Sequence, residues 1–349
     1  MSGGVDSSTV LALLKAQGHD LVGLTLRTRP CDASNPEDAR LCCASSDIDD
    51  ARSVALSLGV PHTVCEGMDL FEERVVTPFL DAYERGLTPN PCVECNRHVK
   101  IPALLKRALV LDCEKLATGH YARLSENPDG RPVLRKARDA EKDQSYFLYR
   151  LPREILSRLL FPLGDFTKEE VRAHARRLGL AVAGKKESME VCFAEGGDYR
   201  EFIRARRPRA FTPGPIVDDE GREVGRHQGL VGFTVGQRRG LGLSGGPWYI
   251  MELRPETATV VVGPVERARV SSFRVGDVQW GAWDGLDAPR EANVKVRYRG
   301  NDEPADLRPG PGGIVQVVPK RPLSSVTPGQ SAVFYDGDRV AGGGIILKS

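Results

Sequence analysis

Residues 2–8 read SGGVDSS and run straight into a helix-patterned stretch, Ser7 to Gln17, stopped by Gly18. No other feature constrains the chain as much. Two glycines let the backbone wrap closely around an anion. Ser2, Ser7 and Ser8 offer hydroxyls, and the helix N-terminus adds amide donors and partial positive charge. The Gly-Lys-Ser/Thr of a Walker loop is absent, so no lysine is delivered locally to the β and γ phosphates. Asp6 would repel bare phosphate, so it is expected to hold Mg²⁺ or to orient the loop. Such a loop normally hangs from the carboxyl end of a buried strand. Met1 stands where the last residue of that strand would be, so a further apolar strand is expected ahead of the chain as written.

The next segments alternate. HDLVGLTL (19–26), PHTVCE (61–66) and EKLATGHYARL (114–124) read as strands. DIDDARSVALSLG (47–59), MDLFEERVVTPFLDAYERG (68–86) and a stretch from about Arg97 to Leu109 read as helices. This order predicts an α/β fold with a doubly wound parallel sheet over residues 1–200. From Thr212 the helical pattern disappears. GPIVD, REVGRH, WYIMEL, TATVVVG, ANVKVRYR, GIVQVVP, SAVFYDG and RVAGGGII are short β-rich runs separated by Gly, Pro and Asp-Gly turns. They predict two small barrel-like domains, at 211–265 and 270–349.

With 40% hydrophobic and 28% charged residues, the 349-residue chain has material for about two or three globular domains. It has neither an apolar run of membrane-spanning length nor a secretory leader pattern, so a cytoplasmic protein without membrane contact is expected. The net charge of +2 neither requires nor excludes a nucleic-acid partner. A local basic face is expected from Arg204, Arg206, Arg207 and Arg209, joined by Arg226, His227, Arg238 and Arg239 in a Gly-rich setting.

Eight cysteines suit core residues, reactive thiols or metal ligands better than a disulfide scaffold. Cys92 and Cys95 form a CxxC in TPNPCVECNRHVK, at an expected helix N-terminus. Helix amides, Arg97, His98 and Lys100 are expected to lower the thiol pKa. A second CxxC or a His pair at zinc spacing is missing. Cys192 lies in KKESMEVCFAEGGDYREFI, just before the change of texture. Cys31, Cys42, Cys43, Cys65 and Cys113 read as core or surface filling, and the adjacent pair is too strained for a disulfide. His120 is expected near the nucleotide, and His62 to be structural.

SGGVDSS resembles the pyrophosphate loop of the ATP pyrophosphatases, which implies adenylation rather than phosphoryl transfer. With CCASSDIDDAR, TPNPCVECNRHVK, LATGHYARL, EKDQSYFLY, ESMEVCF, GDYREF, FTVGQRRGLG and TPGQSAVFYDGDRVAGGGII in that order, the resemblance narrows to the tRNA-specific 2-thiouridylases and covers nearly the whole chain. It implies ATP with Mg²⁺ as cofactors, tRNA as substrate, and sulfur from a persulfide carrier protein or inorganic sulfide. It places ATP at Ser2, Gly3, Gly4, Asp6, Ser7, Ser8, Leu26 and Gly119. Cys95 takes the place of the nucleophile and Cys192 that of the persulfide acceptor. Asn90, Pro91 and Cys92 match a segment meeting the target base. Lys142, Asp143, Gln144, Arg297 and Tyr298 match tRNA contacts.

One position departs from the commoner pattern of that family, which has Asp where this chain has Cys92. Cys92, Cys95 and Cys192 together supply three thiolates, the donor set of a [4Fe–4S] cluster with one open iron. A persulfide relay between Cys192 and Cys95 and a cluster on all three cysteines both stay open, with the spacing leaning to the cluster.

Overall fold

The computed structural model describes residues 1–29, 45–186, 191–194 and 198–348. The chain divides into two compact units. One joins Met1–Val75 to Cys92–Gly197, and the other joins Val76–Pro91 to Asp198–Ser349.

In the first unit the strands are β1 (Gly23–Arg27), β2 (His62–Glu66), β3 (Leu116–Ala117), β4 (Arg123–Glu126), β5 (Pro132–Arg135) and β6 (Leu159–Leu160). β1 pairs with β2 in parallel, Leu24 opposite Thr63, and β3 pairs with β6 in parallel. β4 and β5 form an antiparallel hairpin. The parallel pairs, separated by helices, are the alternation that the sequence predicts. Among the described residues they form two separate two-stranded pieces, and the amino group of Met1 donates to the carbonyl of Leu24 on β1.

The Val5–Ala16 helix is what holds the phosphate loop in place. Its Val5, Val10, Leu11 and Leu14 pack with Val54, Val60, Tyr121, Leu163, Val171 and Leu180 in one core. Each such buried side chain contributes roughly 1.5–3 kcal/mol, so the loop is set on a firm base.

Two helical stretches contain wide, π-type turns, at Glu72–Val76 and Cys95–Lys100. Each is followed by a helix carrying Pro in its first turn, Pro78 in Thr77–Glu84 and Pro102 in Ile101–Val110. A proline has no N–H for the carbonyl four residues back, and its ring crowds that carbonyl, so the preceding turn widens. The helix expected from about Arg97 in fact begins at Pro91. Proline is well suited to a first helical turn, where the missing N–H goes unused. The CxxC is therefore inside the helix, with Cys95 opening the wide turn.

The second unit contains two β assemblies. β7 (Gly214–Val217), β8 (Glu223–His227), β9 (Tyr249–Arg254) and β10 (Thr259–Gly263) form a sheet of order β8-β7-β10-β9 around Ile216, Ile250, Val260 and Val262. No pair among the described strands closes it into a ring. The strands β11 (Phe273–Trp280), β12 (Arg290–Lys295), β13 (Glu303–Pro309), β14 (Val315–Pro319), β15 (Ser331–Asp336) and β16 (Arg339–Ile346) run β11-β14-β13-β12-β15-β16. β16 pairs back onto β11, so these six close into a barrel filled by Val275, Val294, Leu307, Val317 and Phe334. Closure removes the exposed edges that an open sheet leaves. No helix among the described residues is long and apolar enough to cross a membrane.

Candidate nucleotide and thiol site

The phosphate loop is built as its sequence requires. Gly4 caps the Val5–Ala16 helix in an extended conformation. The Ser2 amide donates to Ser7 Oγ at 3.1 Å, and the two serine hydroxyls lie 3.2 Å apart. Gly3 has φ +65°, and a Cβ there would stand 2.2 Å from the carbonyl oxygen of Asp47. Only glycine fits such a place. Ser8 is fully buried, and its hydroxyl has no hydrogen-bond partner among the described residues.

Asp6 faces two partners from distant parts of the chain. Lys168 Nζ donates to both carboxylate oxygens at 2.8 Å, and the Tyr121 hydroxyl donates to Oδ1 at 2.8 Å. These bonds hold the Asp6 side chain in a fixed orientation within the loop. Lys185 holds the other side of the loop. Its ammonium donates to the Gly3 carbonyl at 3.2 Å and to Asp47 and Asp50 at 2.6 Å each. Burial works against its charge, yet the bonds to Asp47 and Asp50 outweigh this and raise its pKa. Neither Lys168 nor Lys185 carries a local sequence signal for this role. Lys168 is 162 positions from its partner.

Gly119 lies against the start of the same helix, where an added Cβ would meet Ser7 N at 2.9 Å. Leu26 occupies the end of β1, touching the space beside Gly67. His120, next to Gly119, shares a hydrogen bond of 2.9 Å with Thr118 Oγ1. Burial, helped by the charge of Lys100, pushes its pKa down to about 3, so the ring is neutral. His62 bonds Thr25 Oγ1 at 2.8 Å, the structural role expected of it.

Cys92 and Cys192 are exposed, Cys95 is half-buried, and all three are free thiols. The expectation of lowered thiol pKa values is reversed. Although Cys92 and Cys192 keep exposed surface, the protein around the three sulfurs desolvates them and pushes each pKa up, that of Cys192 to about 12. For Cys192 the neighbouring Cys95 and Cys92 add to the rise. Lys100 opposes it at every one of the three, and at Cys95 the Lys100 backbone N–H helps as well. Desolvation outweighs the favourable helix terminus and the downstream cations.

The three cysteines do not form the metal site that their spacing favoured. No group of three His, Cys, Asp or Glu among the described residues lies together as metal donors would. The sulfurs are near enough to influence one another's ionisation, but they are not gathered as one donor set. Cys65 and Cys113 are half-buried free thiols, and Cys31, Cys42 and Cys43 lie outside the described residues.

The residues expected to meet tRNA divide into two kinds. Asp143 is buried, and its carboxylate accepts from Ala137 N, Ser145 N and Ser145 Oγ, so it shapes its own loop. Gln144 accepts from Tyr121 N at 2.9 Å, and Lys142 beside them is half-buried. Asn90 and Pro91, both half-buried, follow a segment that Gln330 holds by donating to the Thr88 and Pro89 carbonyls. In the barrel Arg297 is exposed, and Tyr298 lies under Lys295 Nζ at 5.8 Å from the ring centre.

Several arginines of the expected basic face make contacts within the chain, while Arg204, Arg206, Arg209 and Arg226 stay exposed. Arg204 stacks on Phe211 at 4.0 Å and Arg206 on Phe202 at 4.9 Å. Arg207 pairs with Asp81 and Glu84, and Arg226 with Glu223. His227 is buried and uncharged by burial, lying 2.9 Å from the Ala258 carbonyl and accepting from Gly229 N. It belongs to the core and not to a basic surface. Arg238 and Arg239 are exposed.

Known proteins match this architecture in order. A family model described as the tRNA methyl transferase HUP domain matches residues 1–196. The tRNA methyl transferase PRC-barrel domain matches 200–264, and the aminomethyltransferase beta-barrel domain 270–346. The tRNA-specific 2-thiouridylase MnmA of Heliobacterium modesticaldum is 47% identical, over 100% of this chain and 91% of that protein. Those of Chloroflexus aggregans and Moorella thermoacetica are 46% and 44% identical, over 100% and 99% of this chain and 97% and 98% of theirs. Loop, thiols, barrels and likeness agree, and the chain belongs to the tRNA-specific 2-thiouridylase family of enzymes.

Proposed function

We propose that the chain is an ATP-dependent sulfurtransferase that replaces the C2 oxygen of the wobble uridine of tRNA with sulfur. The observation that carries this is the continuity of the loop with the thiols inside one unit. Gly119 abuts Ser7 of the loop. The next residue, His120, feels the charge of Lys100, and so do Cys92, Cys95 and Cys192.

In this reading the loop amides and the hydroxyls of Ser2 and Ser7 hold the pyrophosphate of ATP, with the adenosine between Leu26 and Gly119. Mg²⁺ bound with ATP would neutralise part of the phosphate charge. The uridine C2 oxygen attacks the α phosphorus and pyrophosphate leaves, so the oxygen becomes an AMP ester and a good leaving group. The terminal sulfur of a persulfide on Cys192 then attacks C2, and AMP departs with the oxygen. Cys95 thiolate attacks the inner sulfur, breaking its bond to the sulfur now on the base. 2-Thiouridine is released, and a Cys95–Cys192 disulfide remains for an external thiol to reduce. The relay is favoured over the cluster because the three thiols are not arranged as a metal donor set.

A target base inside a folded anticodon must be extruded to reach such a site. We assign residues 1–200 to this chemistry. The segments 211–265 and 270–349 grip the tRNA, with Arg238, Arg239, Arg297 and Tyr298 exposed or half-buried for phosphate and base contact. The place of action is then the cytoplasm, and the sulfur comes from a persulfide carrier protein, which delivers it at the oxidation level the relay needs. A methyl-transfer reading, which the wording of two family descriptions invites, has no use for a pyrophosphate loop or for coupled thiols.

The test is made without oxygen, on wild type and Cys92→Ser. The relay predicts no iron, and 2-thiouridine from both proteins with a persulfide donor. Iron and labile sulfide in the wild type, lost from the variant together with thiolation, would return the mechanism to a cluster.

A further inference from the structure

The Asp6 carboxylate stands in the middle of a loop meant for phosphate, and something must keep its charge away from the anion. We propose that Lys168 is a positioning residue for the ATP half of the reaction: it clamps Asp6 so that the loop shows amides and hydroxyls, not a free carboxylate, to the phosphates. This rests on the reading of the loop as an ATP site.

The clamp is specific in its geometry. Lys168 Nζ is 2.8 Å from each Asp6 oxygen, and its side chain is 10% exposed while that of Asp6 is 30% exposed. The Tyr121 hydroxyl fixes Oδ1 from another side, and the Lys168 ammonium sits 5.6 Å from the Tyr121 ring centre. A cation there gains from the ring face as well as from the carboxylate.

The position of Lys168 points the same way. It is the first residue of the Lys168–Arg177 helix, directly after the Thr167 cap. A helix N-terminus disfavours positive charge, and burying an ammonium is costly unless it is paired. Both penalties fall on one residue, and the Asp6 pair offsets them. The helix itself is already secured by its capping box with Glu170 and by Val171 and Ala175 in the core. Lys168 is therefore not needed to start or to seat the helix. Its backbone N–H donates to Asp139 at 2.9 Å, which fixes where the side chain departs.

Removing the lysine leaves Asp6 as an uncompensated, partly buried anion beside the phosphates, the costly outcome for such a pair. Lys168→Met should raise KM for ATP about tenfold or more while kcat falls less, as expected for lost ground-state binding. Lys168→Arg, keeping the charge, should recover most of this. Tyr121→Phe removes one neutral hydrogen bond and should shift KM by about threefold. The decisive variant is Lys168→Met with Asp6→Asn. With the repelling charge gone, KM should return part of the way toward wild type.

Pyrophosphate release from ATP in the presence of unmodified tRNA is the readout, with thermal unfolding measured alongside. An unchanged KM in Lys168→Met, or an Asp6→Asn double variant worse than either single one, would reduce Lys168 to a packing role and overturn the proposal. A wild type that releases no pyrophosphate would remove the ATP reading itself, and the assignment of Lys168 with it.

Discussion

The phosphate loop and the thiol helix lie in the same unit, and they obey different physics. The loop takes its own shape from backbone conformation and short-range hydrogen bonds, and Lys168 and Lys185 brace that shape from afar. Gly3 at positive φ, the Gly4 cap and the Ser2–Ser7 contacts are all made by residues within five positions of each other. The thiols work through an environment assembled from afar. Cys92 and Cys95 have cations next to them in sequence, and these were expected to set their ionisation. Crowding by the fold overrules those cations, and Cys192 is driven to about 12. A motif that depends on its own backbone transfers from sequence to structure intact. A motif that depends on solvation does not.

The largest expected effects separate the two regions by step. Gly3→Ala places a Cβ where the Asp47 carbonyl stands, so both pyrophosphate release and thiolation should be lost. Cys95→Ala and Cys192→Ala should abolish 2-thiouridine while tRNA-dependent pyrophosphate release continues. Loss of pyrophosphate release in the cysteine variants would show that the two regions are not separable.

A smaller effect concerns pH. Because the Cys192 pKa is raised to about 12, the thiol form prevails at neutral pH and the reactive thiolate grows as pH rises. Alkylation of Cys192 should increase about tenfold per pH unit with no plateau before pH ~9, where an unperturbed thiol levels off. Lys100→Met removes a cation that opposes burial at all three sulfurs, leaving Arg29 to act at Cys192, so alkylation at pH ~8 should slow severalfold. A plateau near pH ~8.5 would mean that the sequence-based expectation of activated thiols was right after all.

The smallest effect returns to the loop. Thr167→Ala breaks the capping box that starts the Lys168 helix, which should cost about 1 kcal/mol of stability. A slight rise in KM for ATP should accompany it, with thiol alkylation unchanged. A change in alkylation instead would join the regions that this comparison keeps apart.

How much of the molecule the sequence discloses follows the same division. Alternating strands and helices were readable in the first half because amphipathic periods are local. The C-terminal barrel was readable from its turn-spaced β runs, but not all six of its strands were, since β13 (EPADLRP) carries prolines near both ends of its pattern and resembles a loop. The thiols, loop and Gly119 were identifiable by motif, whereas Lys168 and Lys185 were hidden because ordinary surface lysines look the same until the fold brings them to Asp6 and Gly3. His227 misled in the opposite direction: it stands in a promising basic motif, yet it turns inward to satisfy backbone groups.

The most direct measurement incubates wild type and Cys95→Ala with ATP and unmodified tRNA, then with a persulfide donor, counting pyrophosphate and 2-thiouridine from the same tubes. Adenylation followed by the thiol relay predicts tRNA-dependent pyrophosphate from both proteins and 2-thiouridine from the wild type alone. Thiolation by the variant, or thiolation by the wild type without pyrophosphate, would contradict it.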